Sequence, residues 1–511
     1  ESVHRVGLYG QTNYYLYLFV MDNWMFLTEK EILVEIGKRL KKIRVQHNLT
    51  QKELSAEVGL SVSTISLIEQ GKSTTVESLI RILTRLNRIK DFESVFRVGE
   101  NLELKLKFEK AKMNRRSATF QYSTSFLNSN IEPSPLMMPT QERIFETSRD
   151  HINFHDLPYL LSDSLPDDFG NIMMKEWIRQ RQISIDSINP VDRLSYVGRR
   201  GMGALEYEPI KHSYESDYRI HVGDIVKVAK KVLERKEETS YADLDKESLS
   251  DILRIGSSAG GARAKALIAI KTNDNEEIIE IRPGDIIQPK GYSYWLLKID
   301  GANEKTLGEG EGIGKIEYAY YLLAKKCGIN ISESRLHEEN NRFHFLTKRF
   351  DRADQGEKIH MQTFGALAGI DYRIPKVTSY ENLFKVMKRL RLPYNQFEQQ
   401  FRRSVFNVVM RNHDDHVKNF SFLMDKSGKW RISPAYDVNY SYSKGGTWTN
   451  THQSSINGKF DNFTREDVLT LGSSFGIKKA RDIVDEISSM ASDWPKIAKG
   501  IMSIEKTLML L

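Results

Sequence analysis

The sequence predicts an α+β protein in which an all-helical segment precedes a larger part that mixes strands with helices. Apolar residues recur at helical spacing through residues 29–97. Beyond residue 100 the spacing changes, and apolar and charged residues alternate through residues 102–108 as in a half-buried strand. Helical spacing returns from residue 464 onwards. These three observations predict separate domains of different structural class.

Length and composition agree with a globular protein of several domains. A chain of 511 residues is too long for one hydrophobic core, and roughly two to four domains are expected. The single cysteine, Cys327, excludes an internal disulfide and is typical of the reducing cytoplasm. The net charge of +7 is compatible with an anionic partner such as DNA or a nucleotide. The longest apolar run, residues 14–21, is far shorter than the about 20 residues that span a membrane, so we predict no membrane association.

Four helices are predicted within residues 29–97. Thr50 opens the second helix, and Glu53 three residues later completes the pattern of a capping box. Gly59 ends that helix, Ser61 opens the third, and the fourth follows after a short connection. The segment is therefore expected to fold as a small helical domain.

Strands and helices are mixed in the remainder of the chain. Residues 1–28 show no motif, and we treat them as a leader or tail. Residues 119–122 are expected to form a strand that pairs with the alternating segment. Further predicted strands cover residues 266–270, 278–281, 294–299 and 346–350, and predicted helices cover residues 171–181, 310–327, 378–392 and 396–411.

Residues 49–71 carry the features of a helix-turn-helix. Small Ala56 is expected where two helices cross, Gly59 lies in the turn, and Ile65 and Ile68 should face the core. A second helix held in this way can enter the major groove of DNA. The alternative is a helical scaffold module without a role in DNA binding.

This segment resembles the helix-turn-helix of phage repressors through its Thr-Gln pair, its Ala, its turn Gly and its Glu-Gln-Gly ending. By this resemblance Gln51 should contact a phosphate. Three basic residues, Arg44, Lys52 and Lys72, could add phosphate contacts. The base-reading face would consist of Ser61, Val62, Ser63, Ser66 and Leu67.

Two aspartates and an asparagine follow the layout of a protein-kinase active site. Asn419 lies five positions after Asp414, and Asp437 lies 23 positions after Asp414. In kinases the first Asp accepts the proton of the substrate hydroxyl, and the Asn and the second Asp hold magnesium. Two alternatives remain, namely a polar surface loop and a zinc site in which His413 and His416 join Asp414.

Two upstream features would complete such a site. Residues 255–265 form a turn rich in Ser, Gly and Ala, where backbone N–H groups can approach phosphate oxygens and Arg263 or Lys265 can add charge. A tightly packed Gly-rich hairpin would show the same pattern. Lys298 closes an apolar strand and needs an anion if it is buried. Phosphates would serve, with Glu317 on the next helix as an ion-pair partner, unless the lysine reaches water.

From about residue 100 to residue 500 the chain resembles the HipA-type serine/threonine kinases, the toxins of bacterial toxin–antitoxin pairs. The helix-turn-helix resembles the HipB-type antitoxin, which is normally a separate protein. The resemblance implies a β-rich N-terminal subdomain over residues 100–210 and a kinase core with a mainly helical C-terminal lobe over residues 211–511. The matching stretches are residues 200–205, 258–265, 297–298, 349–352, 412–419 and 436–437.

The resemblance also implies roles for individual residues. Asp414 would be the catalytic base, and Asn419 and Asp437 would bind Mg²⁺. Ser258 matches the serine whose autophosphorylation inactivates kinases of this family, and the family usually has Glu where Lys348 stands. The ATP-binding residues would be Gly260, Gly261, Ala262, Arg263, Ala264, Lys265, Lys298, Lys348, Arg349, Phe350, His416, Asn419, Tyr436 and Asp437.

The expected function is that of an ATP-dependent serine/threonine protein kinase in the cytoplasm, fused to a DNA-binding repressor domain. By the resemblance its substrate would be an aminoacyl-tRNA synthetase. The helix-turn-helix would form a homodimer on a palindromic operator and repress its own gene, and a separate antitoxin partner is also compatible. Two alternatives remain. One is a pseudokinase, that is, a DNA-binding regulator that binds nucleotide without turnover, and the other is an antitoxin that neutralises a separate toxin.

Overall fold

The fold is described from a computed structural model of the chain. It divides into a helical unit, Met21–Arg116 with Ile178–Asn189, and a mixed unit, Glu1–Val20 with Ser117–Trp177 and Pro190–Leu511. None of the helices in the described part of the chain is long and apolar enough to cross a membrane. The strand predicted at residues 102–108 lies outside the described residues. Described are residues 2–8, 15–20, 29–72, 74–86, 88, 119–146, 157–166, 168–180, 184, 188–208, 219–226, 229, 264–300, 312–340, 342–353 and 356–501.

The helical unit contains the four helices that the sequence predicts. Thr50 and Glu53 exchange the two hydrogen bonds of a capping box at the start of the second helix. Gly59 ends this helix with a φ of 67°, a left-handed conformation that glycine adopts without strain. Ile65 and Ile68 lie in the core of the unit, as predicted. The helices are α1 (Glu29–Gln46), α2 (Gln51–Val58), α3 (Val62–Glu69) and α4 (Val76–Arg85).

The mixed unit begins with a five-stranded sheet whose strand order is β4-β3-β2-β1-β5. Leucine and aromatic side chains form most of the core beneath it, where the rings of Phe120 and Tyr122 pack edge to face with centroids 4.9 Å apart. The strands are β1 (Ser2–Leu8), β2 (Tyr15–Val20), β3 (Thr119–Gln121), β4 (Ile144–Glu146) and β5 (Leu205–Tyr207). The associated helices are α5 (Thr124–Leu127), α6 (Tyr159–Ser162), α7 (Asp168–Gln180) and α8 (Pro190–Val197).

The helix-turn-helix segment is inserted between two neighbouring strands of this sheet. β2 and β3 pair antiparallel with Tyr17 opposite Gln121, although α1–α4 lie between them in the sequence. Residues 1–28, for which the sequence pattern predicts no element, therefore contribute two strands to the mixed unit. In the sequence, the helical segment is therefore an insertion between two strands of one sheet.

A second five-stranded sheet, of order β7-β6-β8-β10-β9, follows. It contains the strands predicted at residues 266–270, 278–281 and 294–299, and residues 346–348 form the end of a longer strand. Its helix lies so close to the sheet that a Cβ added at Gly314 would stand only 2.1 Å from the carbonyl oxygen of Phe343. The elements are β6 (Lys265–Thr272), β7 (Ile278–Pro283), β8 (Tyr292–Lys298), α9 (Ile313–Lys326), β9 (Ser334–Glu339) and β10 (Arg342–Lys348).

The C-terminal part is mainly helical, with a three-stranded sheet of order β11-β13-β14 and a parallel pair formed by β12 and β15. Phe401 and Val405 on α12 are buried, and this helix, predicted at residues 396–411, leads the chain to Asp414. The elements are β11 (His360–Thr363), α10 (Phe364–Ala368), β12 (Thr378–Ser379), α11 (Tyr380–Arg389), α12 (Tyr394–Val409), β13 (Ser421–Met424), β14 (Trp430–Ile432), β15 (Ser454–Ser455), α13 (Arg465–Ser474), α14 (Ala480–Ala491) and α15 (Trp494–Ile501).

Candidate active site and DNA-binding face

Two lysines lie side by side on neighbouring strands of the second sheet. Lys265 at the start of β6 is paired in register with Lys298 at the end of β8, and Lys265 is buried. Two lysines in one cross-strand pair, at least one of them buried, require nearby anions. Of the predicted phosphate loop, Ala264 and Lys265 are described, whereas Gly260, Gly261, Ala262, Arg263 and the predicted phosphoacceptor Ser258 lie outside the described residues.

Lys298 is held by two carboxylates. Its Nζ donates to Glu317 on α9 and to Oδ1 of Asp437 at 2.6 Å. Burial alone would lower the pKa of Lys298, but Asp437 and Glu317 outweigh it, so the pKa is raised and the ammonium stays charged. The side chain is 12% exposed. The predicted ion pair with Glu317 is confirmed, and the alternative in which Lys298 reaches water is wrong.

Asp437 occupies a left-handed turn directly after Tyr436, with a φ of 53°. A non-glycine residue in this region is held there at a cost of about 1 kcal/mol, and such residues often mark functional sites. Burial alone would raise the pKa of Asp437, but Lys298 and Lys265 lower it below its usual range. The carboxylate therefore remains charged and can receive a cation or a cationic side chain.

The loop that carries Asp414 is fixed through its backbone. The Asp414 N–H donates to Ser441 Oγ at 2.9 Å, and Asn419 Nδ2 donates to the Asp414 carbonyl at 2.7 Å. The carboxylate itself is 43% exposed and lies 3.6 Å from His416 Nε2. Since the amide nitrogen of Asn419 is used inside the loop, its amide oxygen is the atom of this side chain that remains to bind a ligand.

The pKa of Asp414 is raised above its usual range. The protein atoms packed around the carboxyl group have the largest effect, Asp437 and Asp415 add to it, and His416 opposes it. Asp437, by contrast, has a lowered pKa. Two nearby carboxylates with pKa values moved in opposite directions are suited to different tasks, one to exchanging a proton and one to holding positive charge.

Asp415, the residue after Asp414, is completely buried in a hydrogen-bond network. It accepts from His452 Nδ1 at 2.9 Å, Tyr380 Oη at 2.8 Å and the Gln453 N–H at 2.7 Å. Sequence reasoning missed this network because His452 and Tyr380 lie 37 and 35 residues away. The available signal in the sequence was the adjacent pair Asp414-Asp415.

The two alternatives for this loop are not supported by the geometry. Asn412, His413 and Asp415 are buried, so the segment is not a simple polar surface loop. His413 Nδ1 lies 3.1 Å from the Thr449 carbonyl, and its ring packs on His452 with centroids 4.2 Å apart. Among the described residues no group of three or more His, Cys, Asp or Glu is placed to hold a metal.

Three of the predicted ATP-binding residues, Lys348, Phe350 and Tyr436, lie in different surroundings. The Lys348 N–H donates to the Glu333 carbonyl at 2.7 Å, and the Lys348 carbonyl accepts from Ser332 Oγ at 2.6 Å. The rings of Phe350 and Tyr436 lie 5.3 Å apart between centroids. An aromatic pair of this kind, rather than the paired backbone of Lys348, offers the better surface for a planar base.

Arg349 belongs to a buried ion cluster rather than to an open pocket. Arg349 binds both carboxylate oxygens of Asp351 at 3.0 and 2.8 Å, and Arg352 binds the same carboxylate at 2.8 Å. The N–H of Gly203 donates to Asp351 at 2.7 Å, and both arginines donate to the Gly201 carbonyl. The cluster joins the stretches at residues 200–205 and 349–352, which lie far apart in the sequence.

The predicted DNA-binding residues lie mostly on an open face of the helix-turn-helix. Ser61, Val62, Ser63 and Leu67 are exposed, and Ser66 is half-buried. Gln51 Nε2 donates to Glu69 at 2.7 Å, so one of its two N–H groups is already used. Arg44 is buried and forms a salt bridge with Glu69 at 2.6 Å. Its predicted phosphate contact is therefore wrong, because this guanidinium ties α1 to α3.

Three family models match the chain in consecutive segments. A helix-turn-helix model matches residues 40–90, a HipA N-terminal domain model residues 108–208 and a HipA-like C-terminal domain model residues 257–494. The resemblance predicted from the sequence is confirmed. The segments lie in the order in which the resemblance places them.

Individual relatives are distant. A Haemophilus influenzae protein named "Putative kinase" is 29% identical over 136 residues, 24% of this chain and 39% of that protein. A Sinorhizobium fredii protein of similar name is 26% identical over 125 residues, 23% of this chain and 30% of that protein. The chain thus spans less than two fifths of the length of these relatives.

A solved structure from Shewanella oneidensis, of the toxin–antitoxin proteins HipA and HipB with their operator DNA, has a similar fold. The TM-score is 0.52 at 16% identity, and the match covers 76% of this chain and 86% of that chain. At this identity the likeness concerns the fold alone. The α+β class predicted from the sequence agrees with it.

Proposed function

We propose a function from the premise that this chain belongs to the HipA family and carries a helix-turn-helix domain as well. In this proposal it is an ATP-dependent serine/threonine protein kinase that also binds operator DNA. The observation that carries the first part is the position of Lys298, which forms salt bridges with both Glu317 and Asp437. The charge of Asp437 in turn contributes to the raised pKa of Asp414. In protein kinases a strand lysine likewise pairs with a helix glutamate, near the aspartate that binds Mg²⁺ and the aspartate that acts as the base.

The proposed chemistry divides the work among the carboxylates. Asp414, with its raised pKa, accepts the proton of the attacking hydroxyl, because a base is most effective when its pKa approaches the working pH. Lys298, oriented by Glu317, contacts the phosphates of ATP. The phosphate oxygens then replace Asp437 as the partner of the ammonium group.

Asp437 and Asn419 suit magnesium as ligands. A charged carboxylate and an amide oxygen are hard donors of the kind that Mg²⁺ prefers, and the lowered pKa of Asp437 keeps it ionised. When bound, the ion would neutralise charge on the phosphates. The acceptors are protein hydroxyls, Ser258 among them, and by family resemblance an aminoacyl-tRNA synthetase is the substrate.

Nucleotide binding tests the first part of the proposal. Asp437→Asn removes the charged ligand, so the affinity for ATP in excess Mg²⁺, measured by isothermal titration calorimetry, should fall about tenfold or more, since charge-assisted contacts are the strong ones. Chelating the metal should weaken binding to the wild type and have little effect on the variant. The control is Asp485→Asn, which removes an exposed carboxylate paired with Arg465. Failure of the wild type to bind ATP would contradict the proposal.

Operator binding by the helix-turn-helix is the second part. Two observations support operator binding. One is the exposed face formed by Ser61, Val62, Ser63 and Leu67, and the other is the likeness in fold to a structure of HipA and HipB with their operator DNA. A regulator that binds nucleotide without turnover is the alternative. Its specific support is the DNA-binding face, which would function without any phosphoryl transfer.

Excising the helical segment tests DNA binding without damaging the sheet. Residues 21–116 can be replaced by about four glycine and serine residues, a length typical of hairpin loops, because Tyr17 and Gln121 are already paired. The excised protein should lose its mobility shift with upstream DNA and keep ATP binding. Leu67→Glu should also lose the shift, because a carboxylate repels phosphates.

Val76→Glu, which adds the same charge at another exposed position of the helical unit, serves as the control and should retain the shift. A full shift with the excised protein would contradict DNA binding by this segment. Growth assays with the excised protein also test whether the helical segment restrains a toxic kinase. Unchanged growth relative to the intact chain counts against restraint within the chain.

A further inference from the structure

Three large apolar side chains are exposed on two loops beside the Asp414 loop. Ile374 is 47%, Val377 42% and Trp448 43% exposed. They lie in residues 371–377 and 441–453, which precede β12 and β15 respectively. Adjoining loops that each expose large apolar side chains can form an interaction surface, whereas single exposed apolar residues are ordinary.

Gln453 ties both loops to the residue that follows Asp414. Its Oε1 accepts from the Lys376 N–H at 3.3 Å, and its Nε2 donates to the Trp448 carbonyl. Its own N–H donates to Asp415 at 2.7 Å. One glutamine thus links the two apolar loops to the residue after Asp414, and the Asp414 N–H itself donates to Ser441 on the second of these loops. A segment bound on the two loops therefore lies near the Asp414 loop.

The charge on these segments is one-sided. The acidic residues within residues 371–377, 411–419 and 441–453 are Asp371, Asp414 and Asp415. Asp371 and Asp415 are buried, whereas Asp414 is partly exposed. The Nζ of Lys418 lies 4.5 Å from the centre of the Tyr372 ring, and this ring also packs against His416 and Arg373. The basic residues of the three segments are Arg373, Lys376, Arg411, Lys418 and Lys444.

We propose that this surface docks the protein substrate, and that the docked segment is acidic around its acceptor hydroxyl with an apolar residue close by. The inference rests on the proposed kinase function. Complementary charge steers and selects partners. The five basic residues of these segments outnumber the two partly exposed carboxylates at the site, Asp414 and Asp437, and this favours an acidic segment. Ile374, Val377 and Trp448 would bury the apolar residue. A nucleic acid would match the charge and could stack on the tryptophan, but it would leave both aliphatic side chains without a partner.

Two fluorescent peptides test the surface with the full-length chain. Both have a central Leu-Ser-Leu, and one is flanked by glutamates and the other by lysines. The acidic peptide should bind about tenfold more tightly than the basic one by fluorescence anisotropy. Trp448→Ala and Lys376→Glu should each weaken it by about tenfold. The controls are Ile287→Ala and Lys499→Glu, at exposed positions in other parts of the chain, and they should leave the affinity unchanged.

The outcomes separate this proposal from the kinase proposal. In transfer assays Trp448→Ala should raise the KM for the acidic peptide while kcat and ATP affinity stay the same. If ATP binds normally but the two peptides bind equally, or if Trp448→Ala behaves like Ile287→Ala, the docking surface is contradicted and the kinase proposal stands. If a single-stranded oligonucleotide displaces the acidic peptide and binds more tightly, the surface is a nucleic-acid site instead.

Discussion

Replacing Asp414 with asparagine should reduce phosphoryl transfer by about 10²–10⁴-fold, the usual contribution of a general base. The substitution removes the proton acceptor without disturbing the loop. Both hydrogen bonds that fix the loop at this residue use its backbone, from the N–H to Ser441 and from Asn419 to the carbonyl. The carboxylate lies 3.6 Å from His416, which is beyond hydrogen-bond distance. We therefore expect ATP affinity and unfolding free energy to stay close to those of the wild type.

Incorporation of labelled phosphate from ATP measures this effect, with the full chain as both enzyme and acceptor. In the wild type the rate should fall as the pH drops through the raised pKa of Asp414, because the protonated acid cannot accept another proton. This acid limb should be missing from the residual rate of Asp414→Asn. If the wild type binds ATP but incorporates no more label than the variant, the chain is a nucleotide-binding regulator and not a kinase.

The neighbouring aspartate offers a matched contrast. Asp415→Asn changes the same functional group one position further along the chain, but this carboxylate accepts from His452, Tyr380 and the Gln453 N–H. The asparagine amide has one acceptor oxygen where the carboxylate has two, so some of these donors lose their acceptor. We therefore expect a loss of about 1–3 kcal/mol in unfolding free energy. Asp414→Asn should lose activity at nearly constant stability, whereas Asp415→Asn should lose stability first.

The parts of the site that were predicted from the sequence depend on short or fixed spacing. Asp414 and Asn419 share one loop, and the partners Lys298 and Glu317 lie on a strand and the helix that follows it. Such pairs are brought together by local geometry, which residue types and periodicity encode. The capping box at Thr50 is predictable for the same reason.

The parts that were not predicted depend on contacts between distant segments. Nothing in residues 15–20 indicates that they pair with residues 119–121 across an inserted domain. Arg44 has the charge that suits a DNA phosphate, and only the fold shows that it forms a salt bridge with Glu69 instead. In the same way, Arg349 matches a nucleotide-binding stretch in sequence but is committed to a buried carboxylate. Sequence patterns give the chemistry of a side chain, and long-range packing decides which partner uses it.

Asp351→Asn is expected to have the largest effect on stability, a loss of about 3–5 kcal/mol in unfolding free energy, the usual cost of removing one partner from a buried ion pair. Asp351 is completely buried, and the side chains of Arg349 and Arg352 are 1% and 5% exposed. The variant would leave two buried guanidinium groups without their counter-charge. Denaturation in urea, followed by circular dichroism, measures the loss.

The pH dependence identifies the cause of that loss. Burial alone would raise the pKa of Asp351, but Arg349 and Arg352 lower it well below its usual range. A lowered carboxyl pKa stabilises the fold fully above the pKa of the unfolded chain, and this contribution is lost as the pH falls towards the folded value. The wild type should therefore lose stability between pH values of about 5 and 2, and Asp351→Asn should do so less steeply.

If both proteins lose stability in parallel, the carboxylate is not the group that joins the Gly201–Gly203 stretch to the end of β10. Arg349→Met and the double variant would then show additive losses, whereas a working ion cluster requires the double variant to be less damaged than the sum of the two.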